Sequence, residues 1–244
     1  MNETQRLIKN TIENTTRKNY SIEVLVEYVD NVDKQVQKIE NQFGIKFRAV
    51  YDATNLTGTF VPAVNKNPYY IIVKSEQNDM MYVKTAFHEY QHLIDYIRFK
   101  DTVFDGDIET MKNSPLYVTF NVYSEYAATI FGTEKYIEIV KFDDMSQKEL
   151  SEVILQSAKE IYWKLEGIVN RYQLLVHSMQ YIGNIVACGQ FSDEIDTQNL
   201  ISEMELSEEL YSILWHVFMY EDKYKWYEDL DKMMRNFMDG GVEN

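Results

Sequence analysis

The run His88-Glu89-Tyr90-Gln91-His92 constrains this chain more than any other feature of it. Side chains four residues apart stack one above the other on an α-helix, so the segment is predicted helical, with both imidazoles able to reach one metal ion. Glu89 follows the first histidine, where it can take a proton from a water activated by that ion. Val83, Phe87, Tyr90, Ile94 and Ile97 recur at helical spacing and mark a core-facing stripe, with the two histidines on the opposite side. The plainer alternative is a pair of core histidines, each bonded to a backbone carbonyl. Two such residues would gain nothing from a glutamate between them.

A catalytic zinc ion takes three protein ligands and keeps a fourth position open. The remaining histidines, His177 and His216, lie far along the chain. The single cysteine, Cys188, excludes a cysteine-rich zinc finger and an internal disulfide framework. The third ligand is therefore expected to be a carboxylate. Glu125 is the only acidic residue between Thr110 and Gly132, within a helical run of apolar and small residues where a lone carboxylate needs a partner. Ala127 and Ala128 would let that helix approach the histidine helix closely. Asp95, one turn past His92, is placed to orient a ligand, and Tyr123 and Tyr126 flank Glu125 as candidates for oxyanion stabilisation. His177 reads as a core histidine and Cys188 as a small buried hydrophobe.

With 244 residues, 45% apolar and 26% charged, and only three prolines and nine glycines, the chain reads as globular and α+β. Residues 2–43 are expected to form two helices, the second carrying Ile22, Val26, Val29, Val32, Val36 and Ile39. Three short strands at 45–51, 57–61 and 69–73 predict a small, mostly antiparallel sheet. A helix capped by Asn78-Asp79 should run to about Phe99, followed by a loop from Asp101 to Asn113. Ser114-Pro115 restarts a helix that Gly132 is expected to break. Ser146-x-x-Glu149 is a capping box opening an all-helical region. The predicted organisation is a core over residues 1–145, with a helical extension over 146–244 packed on it.

The succession of strand Tyr69-Tyr70-Ile71-Ile72-Val73, short polar turn, helix with Phe87-His88-Glu89-Tyr90-Gln91-His92-Leu93-Ile94, and Glu125-x-x-Ala128-x-x-Phe131-Gly132 resembles the ImmA/IrrE family of zinc metallopeptidases over roughly residues 45–140. The resemblance implies a zincin-like core with Zn2+ held by His88, His92 and Glu125, and Glu89 as the general base. It also implies a protein substrate, often a transcriptional repressor in phage or mobile-element regulation. The chain carries Gln91 where the family usually has glycine.

A net charge of −15 argues against a protein that coats nucleic acid or anionic lipid. The polar N-terminus has no apolar signal core, and a cytoplasmic location is expected. The function expected is therefore a zinc-dependent metalloprotease acting on a protein or peptide, without nucleic-acid or membrane partners. An alternative is a non-catalytic module that engages a basic partner through its acidic lobe, since residues 146–244 hold 18 acidic and 8 basic side chains. A purely structural zinc site is a third reading, and Glu89 would have no task there.

Overall fold

The computed structural model describes residues 1–44, 56–63, 67–142, 145–163, 170–204, 206–219 and 227–240. In chain order the elements are α1 (Glu3–Tyr20), β1 (Val24–Val29), α2 (Val32–Phe43), β2 (Gly58–Val61), β3 (Tyr69–Lys74), a 3-10 turn (Asn78–Met80), α3 (Tyr82–Val103), α4 (Ile108–Asn113), α5 (Leu116–Ile139), α6 (Gln147–Trp163), α7 (Arg171–Gly189), α8 (Thr197–Ser202), α9 (Glu208–Met219) and α10 (Tyr227–Met238). This is an α+β chain, as its pattern predicts.

The first correction concerns residues 22–29, expected to begin the second helix. Val24–Val29 within them form β1, and the helix starts only at Val32. Ser21, in the left-handed conformation at φ 56°, ends α1 and turns the chain into the strand. Ile22, Val26 and Val29 fit helical spacing, but the run is dense in β-branched residues, and Val24 and Val26 point to one buried face two residues apart.

The sheet is the second correction. Its order is β1-β3-β2, with β1 parallel to β3 and β2 antiparallel to β3, so it is mixed rather than mostly antiparallel. The parallel pair follows from α2, which lies in the connection between β1 and β3 and supplies the crossover a parallel pair requires. The expected strand at 45–51 lies outside the described residues. β3 is central and buried on both faces, which explains its unbroken apolar run. Tyr69, Ile71 and Val73 pack with Ile8 and Ile12 of α1 and Val83 and Ala86 of α3. Tyr70 and Ile72 pack with Val32 and Ile39 of α2.

Asn78 and Asp79 do not cap α3. They belong to the preceding 3-10 turn, and α3 starts at Tyr82 and continues four residues past Phe99. The stretch from Asp101 to Asn113 is not all loop, because Asp107 accepts bonds from the Glu109 and Thr110 amides and starts α4.

Gly132 does not break α5, which is continuous from Leu116 to Ile139. The residue is buried where α5 crosses α3. A Cβ there would lie 2.8 Å from the Lys84 carbonyl oxygen and 3.0 Å from His88 Cβ. The close approach expected from Ala127 and Ala128 is thus enforced at Gly132, and that packing offsets the helix-propensity cost of a glycine, about 1 kcal/mol. The Ser146–Glu149 capping box forms and opens α6. Among the described residues, α6–α10 contain no strand. Their apolar faces share a second core with Val122, Tyr123, Tyr126 and Ala127 of α5, while α7 runs along α5.

Candidate metal centre

On α3, His88 and His92 are one turn apart and turn the same ring nitrogen toward each other, Nε2 to Nε2 at 3.0 Å. The facing helix α5 brings Glu125 between them. Its Oε2 is 3.5 Å from His88 Nε2 and its Oε1 is 3.6 Å from His92 Nε2. A tetrahedral ion bonded at about 2.0–2.1 Å needs its ligand atoms about 3.3–3.4 Å apart. The three separations straddle that value, so the donor set could hold a metal ion with only small side-chain adjustments. All three side chains keep partial exposure, 16–25%, which leaves room for a further ligand.

The surroundings orient these donors. His92 Nδ1 lies 2.7 Å from Ser124 Oγ, and that hydroxyl donates to Asp95 Oδ2 at 3.1 Å. A hydroxyl has one proton, and Ser124 gives it to the carboxylate, so the serine oxygen accepts from His92 Nδ1–H. The histidine is thereby fixed in the tautomer whose Nε2 lone pair faces the site. Asp95 is thus buried and linked to His92 through a serine, a position from which a carboxylate can orient a ligand. Gln91 Nε2 donates to the other oxygen of Asp95 at 2.7 Å. On Glu125, Oε2 accepts from Gln180 Nε2 of α7 at 2.8 Å.

Charge follows from these contacts. Burial alone would raise the Glu125 carboxyl, but His92 and His88 beside it, with the Gln180 bond, hold it down at about 2. Burial lowers His92 to about 4. Burial also works against a proton on His88, yet its bond to Glu125 and the charges of Glu125 and Glu89 prevail and raise it. Glu89 is pushed up to about 7 by burial, with the negative charge of Glu125 adding to the effect while His88 and a bond from the Phe60 amide oppose it. A carboxylate near neutrality is in the range where a group can both accept and return a proton.

Glu89 faces β2. The strand lies so close to α3 that a Cβ on Gly58 would sit 2.3 Å from Thr85 Cγ2 and 3.2 Å from Glu89 Cγ. Glycine is therefore required for β2 to reach the site. Thr57 accepts from the Lys74 amide, so by antiparallel alternation Phe60, paired with Ile71, directs its N–H away from β3. That amide is the one that bonds Glu89.

The four residues singled out in the sequence are thus neighbours: His88, His92 and Glu125 converge, and Glu89 adjoins them. Tyr123 and Tyr126 instead pack into the apolar core of the C-terminal helices, and burial pushes Tyr126 up to about 12. His177 is half-buried and stands 3.3 Å from Gln180 Oε1. Cys188 is fully buried, as expected of a small hydrophobe, and burial raises its thiol to about 12. Sequence reasoning missed Ser124 and Gln180. Ser124 could have been found from its place next to Glu125, whereas Gln180 is 55 residues away and carries no local signal. No helix among the described residues is long and apolar enough to cross a membrane. No family model, curated protein or solved structure matches this chain, and its function has to be read from the arrangement of these side chains.

Proposed function

We propose that this protein is a zinc metallopeptidase with a zincin-like core, in which His88, His92 and Glu125 hold Zn2+ and Glu89 is the general base. The observation that carries the reading is the convergence of two histidines and a carboxylate at tetrahedral ligand spacing, with a second carboxyl group pushed to about 7 beside them. When bound, the ion supplies Lewis acidity, polarising a carbonyl and acidifying water. Glu89 takes a proton from the attacking water on a carboxylate oxygen and returns it to the leaving amine. The Phe60 amide keeps that carboxylate aimed, and the Asp95–Ser124–His92 chain holds the Nδ1 proton in place. Among the described residues β2 is an edge strand beside Glu89, a position that suits an extended peptide and supports a protein or peptide substrate.

The test is elemental analysis of the purified protein together with peptidase assays on a denatured-protein or peptide-library substrate. The expected result is one zinc per chain, retained by Glu89→Gln, with cleavage by that variant reduced about 10²–10⁴-fold. Wild-type cleavage by Glu89→Gln would remove Glu89 from the chemistry. Bound zinc with no substrate cut would favour the non-catalytic binding module.

A further inference from the structure

Behind the metal centre, between α3, α6 and α7, lies a cavity of about 460 Å³, within the size range of small-molecule sites. One wall is apolar: Ile154, Ala158 and Tyr162 of α6 with Tyr181 of α7, the two tyrosine rings stacked with centroids 4.7 Å apart. The cavity is also lined by a polar row on one face of α7, His177, Gln180 and Asn184, with Lys84 of α3 bonded to Asn184.

Lys84 is the feature the metal centre does not use. Its Nζ donates to the neutral Asn184 Oδ1 at 2.7 Å, and among the described residues it forms no ion pair. An ammonium has three protons to donate. Burial depresses this one to about 8, the mark of a cation whose surroundings do not compensate it. Asp79 also lines the cavity, and it is solvent-exposed. In a chain with 39 acidic side chains, a half-buried lysine that no carboxylate pairs with among the described residues is suited to receive an anion.

We propose that this cavity binds a small monocarboxylate with an apolar body, its carboxylate on Lys84 Nζ and its hydrocarbon against Ile154, Ala158, Tyr162 and Tyr181. One lysine matches one negative charge. A phosphate monoester brings about two, and no second lysine or arginine lines the cavity among the described residues. The site stands independently of the metallopeptidase reading, since none of its ligand-binding residues is a metal ligand or the general base.

The test uses the full chain and isothermal titration with octanoate, with 1-octanol as the neutral probe of the same shape. Octanoate should bind saturably at one site per chain. Lys84→Met, which keeps the stem and removes the charge, should weaken octanoate at least tenfold and leave 1-octanol within twofold. Ala158→Phe, which fills the cavity from the α6 side without touching Lys84, should abolish both. Absence of saturable octanoate binding would overturn the proposal. So would octanoate affinity that is unchanged in Lys84→Met, or in Ala158→Phe should the lysine variant fail to fold.

Discussion

Gly132→Ala, ordinarily a stabilising change inside a helix, should weaken this protein and its metal binding together. In an exposed helix the substitution gains about 1 kcal/mol from propensity. Here the new Cβ would lie 2.8 Å from the Lys84 carbonyl oxygen and 3.0 Å from His88 Cβ. The first neighbour is helix backbone and cannot rotate away. Restoring ordinary contact, 3.4 Å, requires α5 and α3 to separate locally by about 0.6 Å. Overpacking of this kind costs about 1–3 kcal/mol, and a backbone contact belongs near the upper end, so the net loss is about 1–2 kcal/mol. For a chain of this size that is a fall in Tm of about 2–8 °C. Glu125 lies seven residues earlier on α5, about 10 Å along its axis, and moves with it. A ligand constellation tolerates displacements of about 0.5 Å, so zinc affinity should fall as well. Thermal denaturation of the metal-free protein and a chelator-competition titration measure the two effects separately. A Tm that rises by the propensity gain, with zinc affinity unchanged, would refute the idea that this crossing sets the ligand geometry.

Three further outcomes are expected. Ser124→Ala removes the hydroxyl that links His92 to Asp95 and should weaken zinc binding about 10–100-fold in a chelator competition; undiminished affinity would show that the relay does not orient His92. Zinc affinity should fall as pH drops, because a proton on His88, whose affinity for it is raised, competes with the metal, whereas His92 at about 4 stays neutral until far lower pH. Affinity followed by titration from neutral to mildly acidic pH should therefore lose about tenfold per unit once below the His88 value, the slope of one proton; a two-proton slope would contradict it. Gln180→Leu removes the donor to Glu125 Oε2 and should raise that carboxyl above its depressed value, detectable by carbon-13 NMR of the metal-free protein; no change would assign its acidity to the histidines alone.

What was legible in the sequence was what is local. His88, Glu89 and His92 are bound together by helix periodicity, and Glu125 stands out because its own helix offers no other acid. β1 reads as helix because Ile22, Val26 and Val29 fit spacings of four and three while Val24 and Val26 fit a period of two, and only pairing with β3 distinguishes them. The sheet was read as mostly antiparallel because, without β1, the crossover through α2 had no strand to start from. Gly132 shows the same limit: the residue that breaks an isolated helix is the one that lets two packed helices touch. Gln180 and Lys84 acquire their meaning from α7 lying beside α3 and α5, a tertiary fact with no trace in either segment alone.

The bond from Gln180 to Glu125 also says what could be moved between proteins and what could not. The motif-bearing helices α3 and α5 contain every proposed ligand and the base, and they look like a portable cassette. Yet one ligand is aimed from a helix that follows it by 55 residues. A graft of α3 and α5 alone would carry the letters of the site without the grip on Glu125. The smallest transplantable unit therefore runs from β2, whose Phe60 amide holds Glu89, through α7, and recombination within that span is expected to yield chains that fold around a loosened carboxylate.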